Sequence, residues 1–331
     1  MYKIIMFNVR DEEEKIAKEW AIAHQIDLTI YHRSLEKEDL DTLKEYDGIS
    51  LSQVAKVQPE FYHELAAMGY KQIAQRSAGF DMYDLDKATK EGIIISNVPI
   101  YSPESIAEWT VLMAGNLIRK YDSIQENVKN KNFAWDPQIR GRVIGDLNVA
   151  IIGTGNIGIA TAKIFRGYGC QVVGYDLYPK EGLEDLLTYA ETIDQAIEKA
   201  DIISLHMPVT KETHHLFDYD RFKKIKKGAY LLNMARGAII NTSDLIKALD
   251  NDLLAGAALD TYENEMAYVG KNYKDATIED EVFQQILNHP KIIYSPHIAF
   301  YTDQAVKNLV ERGLNATLEV LETGTTQYRV N

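Results

Sequence analysis

Three side chains able to do acid/base and anion chemistry stand just past apolar runs in the second half of this 331-residue chain. Arg236 follows "AYLLNMA", Asp260 and Glu265 follow "AGAAL", and His297 follows "KIIYSP". A guanidinium holds a carboxylate through two parallel hydrogen bonds. A histidine titrates near neutrality, so it can deliver a proton in one direction and take it back in the other. A neighbouring carboxylate raises the pKa of that histidine and fixes its ring. Such a set suits reduction of a carbonyl that lies beside a carboxylate, a 2-oxo acid. Taken singly, each has a plainer reading: a surface ion pair for Arg236, a structural histidine for His297, a solvated acid for Glu265.

The hydride such a reduction needs has a candidate carrier in "VAIIGTGNIGIA", whose Gly153, Gly155 and Gly158 have the spacing of a dinucleotide-binding turn. An apolar strand precedes it, a helical pattern follows, and Asp176 ends the next strand, 176 − 153 = 23 residues beyond the first glycine. The glycines admit a pyrophosphate to the backbone and the helix N-terminus supplies N–H groups for it. Asp176 is placed to accept from a ribose diol and to repel a 2′-phosphate, which favours NAD over NADP. His206, in "SLHMP", is expected to line the cofactor groove with Met207 and Pro208. His214 and His215 are adjacent, a poor geometry for shared metal ligation, and no other spacing points to a metal.

These residues need a parallel sheet to hold them. Short β-branched runs alternate with amphipathic helical patterns, the sign of an α/β fold, and the pattern occurs twice. In the first half the runs are "KIIMF", "LTIY", "DGISL", "QIAQR" and "GIIIS"; in the second, six runs begin at the glycine turn with "VAII" and end with "KIIYS". Ile16, Ala17, Trp20, Ala21 and His24 share one helical face between the first two runs. "YSPESIAEWTVLMAGNLIRKY" reads as a helix opened by Ser102, Pro103 and Glu104. The final helix, "DQAVKNLVERGLNATLEVLETG", carries Ala305, Leu309, Leu314, Leu318 and Leu321, which must pack on something. The glycine turn of a nucleotide domain normally belongs to its first strand, yet 148 residues precede this one. Length, and the absence of a Gly- or Pro-rich linker, predict two α/β domains joined by ordered elements.

Composition excludes other classes. A net charge of −13 spread along the chain disfavours nucleic acid and anionic lipid. The basic cluster "RFKKIKKG" reads as a solvated face with Phe222 and Ile225 turned inward. One cysteine, Cys170, cannot form an internal disulfide and reads as a small buried side chain. No run approaches a membrane span, and the N-terminus turns charged too soon for a signal peptide; a cytoplasmic protein is expected.

Together, "VAIIGTGNIG", Asp176, "SLHMP", "NMARGAII", "DTYENE" and "SPHIAFYT", in that order, resemble the D-isomer-specific 2-hydroxyacid dehydrogenases, and the resemblance runs over nearly the whole chain. It implies two doubly wound parallel-sheet domains. Residues 1–100 and 300–331 would form a flavodoxin-like substrate domain, and 101–299 an inserted Rossmann NAD-binding domain, with the active site in the cleft between them. It implies Arg236 on the substrate carboxylate, His297 as acid/base and Glu265 as its partner. The backbone of Ala78 and Gly79 in "RSAGFD" would hold the carboxylate, with Tyr101 and Phe300 lining the pocket. Asn156 and Ile157, with Gly153, Gly155 and Gly158, Asp176, Met207, Pro208, Thr213, Met234, Ala235, Arg236 and Asp260 would contact NAD. The implied reaction is reduction of pyruvate to D-lactate by a homodimer built through the nucleotide domain, where the helix opening at Pro103 offers apolar surface. The segment "ISLSQVAK" lacks an aromatic residue that several members carry there, which leaves larger 2-oxo acids, phenylpyruvate or 2-oxoisocaproate, as alternatives. An NADH-sensing co-regulator of the same fold is the rival from another class.

Overall fold

The computed structural model describes residues 1–53 and 55–331; Val54, in the "ISLSQVAK" segment, lies outside the described residues. The chain divides into two compact units, Met1–Ser102 with Tyr301–Asn331, and Pro103–Phe300.

The first unit is built on strands β1 (Lys3–Met6), β2 (Asp27–Ile30), β3 (Gly48–Leu51), β4 (Gln72–Gln75) and β5 (Ile94–Ser96). They pair in parallel in the order β2-β1-β3-β4-β5, the flavodoxin-like arrangement. Successive side chains point to opposite faces, so β1 serves two cores. Ile5 and Phe7 join Leu43, Ile49, Tyr62, Leu65, Ile73 and Ile95 on one side. Ile4 and Met6 meet Ala17, Trp20 and Ala21 of the helix Asp11–His24 on the other. The final helix, Asp303–Thr323, completes that second core with Val310 and Leu314, and Trp20 Nε1–H donates to Asn315 Oδ1 at 2.7 Å. The apolar face read in the sequence thus packs on the first residues of the chain.

Arg76, the residue after β4, has a side chain with 0 % exposure. Its guanidinium donates to Ser50 O (2.9 Å), Phe7 O (2.9 Å) and Asn8 O (3.2 Å), and Glu13 Oε2, itself buried, lies 3.7 Å away. One cation therefore ties together the carboxyl ends of β1, β3 and β4. Neither Arg76 nor Glu13 stands out in the sequence, because a charge after a strand or in a helix's first turn is usually solvated.

The second unit carries β6 (Asn148–Ile152), β7 (Gln171–Tyr175), β8 (Thr188–Tyr189), β9 (Ile202–Leu205), β10 (Ala229–Asn233), β11 (Leu254–Leu259) and β12 (Ile292–Tyr294). The order β12-β11-β10-β9-β6-β7-β8 is parallel throughout. It is the doubly wound arrangement with its switch point between β6 and β9. The sheet has one strand more than the six runs predict: β8 spans two residues, too few for a periodic signal. Cys170 is fully buried, its thiol on Ile144 O at 3.1 Å. Phe222 and Ile225 pack inward while Lys223, Lys224, Lys226 and Lys227 face solvent.

The helix Pro103–Arg119 buries Ile106, Ala107, Val111, Met113, Ala114, Leu117 and Ile118 within this unit. The apolar surface expected on it is thus mostly spent inside. Exposed apolar side chains lie instead in the segment that follows, at Phe133, Trp135 and Val143. No helix of the described residues is long and apolar enough to cross a membrane.

Replacing Arg76 with leucine removes the guanidinium donor to Phe7 O and Asn8 O and leaves Arg10 as the ion partner of buried Glu13. The variant should lose about 1–3 kcal/mol of stability for the buried carbonyls left without this donor, measured as a fall in the urea midpoint; an unchanged midpoint would show that this cation does not hold the strand ends.

Candidate active site

At the switch point the backbone itself is crowded. Gly153 takes φ +96°, and a Cβ built on it would come within 2.7 Å of the His206 carbonyl carbon. A side chain would force the ends of β6 and β9 apart. Gly155 caps the helix Asn156–Gly167, and a Cβ there would meet nothing within 4 Å. The first N–H groups of this helix follow directly from that glycine, and a helix N-terminus is where an anionic pyrophosphate binds. Asp176 ends β7 and accepts from Thr154 N (2.6 Å), Thr154 Oγ1 (3.2 Å) and Tyr178 N (2.9 Å). A carboxylate offers about four acceptor positions, so capacity remains for a ribose hydroxyl. Thr154 and Tyr189, hydrogen-bonded at 2.8 Å, are supports of Asp176 that the glycine spacing gives no hint of.

Across the switch point, the loop after β9 carries Met207, which packs on the unit's core, and exposed Pro208. Thr213 closes this loop: its hydroxyl donates to Pro208 O at 2.7 Å and accepts from Thr210 N at 2.7 Å. His206 Nε2 meets Ser204 Oγ at 2.8 Å, and burial pushes its pKa down to about 3, so the ring is neutral. These features fit a dinucleotide laid along the carboxyl edge of the sheet.

The loops after β10, β11 and β12 bring Arg236, Glu265 and His297 to that same edge. Met234 is buried, and Asn233 shapes the turn that follows: its side chain accepts from Ala235 N (3.1 Å) and donates to Arg236 O (3.0 Å). His297 Nδ1–H donates to Glu265 Oε1 at 2.8 Å, and Glu265 Oε2 accepts from Tyr262 N at 3.0 Å. Glu265 is thus buried and fixed at both oxygens, while the His297 ring remains about one-third exposed, at 35 %. His297 adopts a left-handed backbone, φ +56°, uncommon for a residue with a side chain.

Asp260 holds that backbone in place. It is 1 % exposed, and it accepts from Ser295 Oγ, from Ile298 N (3.0 Å) and from Ala299 N (2.9 Å), while its carbonyl accepts from His297 N at 2.8 Å. Trp109 Nε1–H reaches Ser295 Oγ at 3.1 Å. Burial pushes the Asp260 carboxyl above its ordinary range, against these hydrogen bonds. At His297, burial and the Arg236 charge act downward, yet the bond to Glu265 and the charges of Glu265 and Asp260 outweigh them and raise the pKa. The Arg236 charge opposes protonation of the His297 ring. Phe300 is half-buried at the end of this unit.

In the first unit, the turn after β4 engages its carbonyls and leaves donors open. Ser77 O accepts from Val98 N, Ala78 O from Asn97 Nδ2 at 2.7 Å, and Gly79 O from Ser77 Oγ at 2.6 Å. The N–H groups of Ala78 and Gly79 have no acceptor among the described residues. Tyr101 is half-buried. Among the described residues no group of three His, Cys, Asp or Glu is placed to hold a metal.

A family model described as D-isomer specific 2-hydroxyacid dehydrogenase, NAD binding domain, matches residues 111–299. The chain belongs to the D-isomer specific 2-hydroxyacid dehydrogenases. It is 54 % identical over 329 residues to a D-lactate dehydrogenase of Streptococcus agalactiae, covering 99 % of this chain and all of that one. Among solved structures it is similar to a D-lactate dehydrogenase from Treponema pallidum, with 38 % identity, a TM-score of 0.91 and 99 % of each chain covered. It is also similar to an NAD-complexed D-isomer specific 2-hydroxyacid dehydrogenase from Lactobacillus delbrueckii, with 33 % identity, a TM-score of 0.89, and 99 % and 100 % of the two chains covered. The enzyme is accordingly NAD-dependent.

Glu265→Gln keeps the hydrogen-bonding shape and removes the charge. The His297 imidazole, followed by NMR titration, should then titrate at lower pH than in the parent enzyme; an unchanged titration would mean that Glu265 does not set its proton affinity.

Proposed function

We propose that this enzyme interconverts pyruvate and D-lactate, with Arg236, Glu265 and His297 as its catalytic residues. The observation that carries the reading is the 2.8 Å His297–Glu265 bond within reach of the Arg236 charge; the D-lactate dehydrogenase relatives support the choice of substrate. Bound NADH supplies the hydride that C2 of the oxo acid receives. Arg236 holds the substrate carboxylate through paired hydrogen bonds, and the open N–H groups of Ala78 and Gly79 take its remaining lone pairs. Tyr101 and Phe300 line the apolar side of the pocket. His297 delivers its proton to the carbonyl oxygen as charge develops there, and in the reverse direction removes it from the hydroxyl. The raised pKa keeps the ring protonated to higher pH than an ordinary histidine, which favours the reductive direction at neutrality; oxidation needs the neutral ring and weakens as pH falls through that pKa.

For the cofactor, Gly153, Gly155 and Gly158 with Asn156 and Ile157 receive the pyrophosphate, and Asp176 the adenosine ribose. Met207, Pro208 and Thr213 flank the groove, with Met234, Ala235, Arg236 and Asp260 near the nicotinamide. Asp176 selects NAD by repelling a 2′-phosphate. Cytoplasmic NADH is the expected source of reductant.

His297→Ala should lower kcat by roughly 10²–10⁴ while the NADH Kd stays near that of the parent. NADH oxidation followed at 340 nm should favour pyruvate over phenylpyruvate and 2-oxoisocaproate, with reversal on D-lactate alone. Stronger turnover of the larger oxo acids would move the substrate, and tight NADH binding without turnover would move the protein to a sensing role.

The same reading makes the protein a homodimer through the nucleotide-binding unit. Its support is an apolar segment that this unit does not cover: Trp135 is 100 % and Phe133 75 % exposed, and the helix Tyr121–Lys129 buries no residue. Sedimentation should give a dimer, and Phe133→Ser with Trp135→Ser a monomer; a monomeric parent would reject the interface.

A further inference from the structure

We propose that His215 and Glu263 form a positioning pair, which sets the distance between the Arg236 loop and the Glu265 loop. The inference rests on the catalytic roles assigned above. His215 Nε2–H donates to Glu263 Oε2 at 2.9 Å. The other oxygen, Glu263 Oε1, accepts from Thr242 N at 3.2 Å, in the first turn of the helix Thr242–Asp250. One carboxylate thus bonds both the segment after the cofactor loop and the helix that follows Arg236.

The backbones at this point are already locked together. His215, at a left-handed φ of +50°, donates its N–H to Ala238 O at 2.8 Å. Phe217 N–H reaches Ile239 O and Asn241 N–H returns to Phe217 O, both at 3.1 Å. Gly237 presses on the neighbouring loop: a Cβ there would stand 2.1 Å from Tyr262 C and 2.3 Å from Glu263 N. Arg236 is the residue before this contact, and Glu265 follows Glu263 by two positions. The pair adds side-chain hydrogen bonds to a contact at which Gly237 brings only backbone.

The charge of Glu263 is held as well as its shape. Burial would raise the Glu263 carboxyl, but the hydrogen bonds from Thr242 and His215 overcome it and hold it below its ordinary value. The two side chains are 33 % and 23 % exposed, screened enough to matter and too far along their loops to touch the reacting atoms. With the pair broken, the Arg236 loop can slide against the Glu265 loop, and the substrate carboxylate is held away from the proton donor.

His215→Ala should lower kcat/KM for pyruvate by about tenfold, as loss of a hydrogen bond to a charged group implies. The loss should fall chiefly in KM, with the NADH Kd unchanged. His215→Gln, whose amide nitrogen reaches the position of the ring Nε2, should restore most of it. Glu263→Ala should match His215→Ala, and the double variant should be no worse than either single one. Parent-like kinetics in His215→Ala, a loss that glutamine does not rescue, or fully additive losses would overturn the pair. A His297→Ala control that kept its rate would overturn the catalytic assignment and this inference with it; an inactive His297→Ala beside a parent-like His215→Ala would overturn the pair alone.

Discussion

The carboxyl edge of a parallel sheet leaves the N–H groups of its loops without ladder partners, and the turn after β12 meets this constraint through one buried carboxylate. Asp260 gathers the donors of Ser295, Ile298 and Ala299 and so bends the chain tightly enough for His297 to adopt its left-handed backbone. Hydrogen bonds to a charged acceptor contribute about 1.5–3 kcal/mol each, against a strain of about 1–3 kcal/mol for such a backbone. The turn is stable only with its acceptor in place.

Other edges of both sheets meet the same constraint with charges of their own. Glu265 caps Tyr262 N while it bonds His297, Asp176 caps Thr154 and Tyr178, and Arg76 does the converse with carbonyls. Glu265 has one oxygen on backbone and the other on His297, while Asp176 has both oxygens on backbone N–H groups. Structural and functional demands on these residues therefore coincide, and a substitution at any of them perturbs both.

Much of this was legible in the sequence because the signals are local. Short β-branched runs, glycines at fixed offsets and apolar faces on the long helices identify the α/β class and nearly every strand. Arg236, Glu265 and His297 could be singled out because each stands just past a strand. What escaped is non-local. The Arg76–Glu13 contact joins residues far apart in the chain, each unremarkable in its own segment. The Asp260 network, the support of Asp176 by Tyr189 and the His215–Glu263 pair are likewise contacts between loops. The helix Pro103–Arg119 misled for a related reason: apolar periodicity shows that a face is covered, and says nothing about whether the cover comes from the same unit.

The first unit is assembled from both ends of the chain, which sets an order of events during synthesis. When residues 1–102 leave the ribosome, the core formed by Ile4, Met6, Ala17 and Trp20 still lacks Val310 and Leu314. At elongation rates of about 5–20 residues per second, the closing helix arrives roughly 10–40 seconds later. The continuous nucleotide-binding unit has all its strands by then, while the second core of the first unit still waits for its last helix. A nascent chain stalled within the last helix would carry a finished cofactor site beside an open apolar sheet face, the kind of surface that chaperones hold.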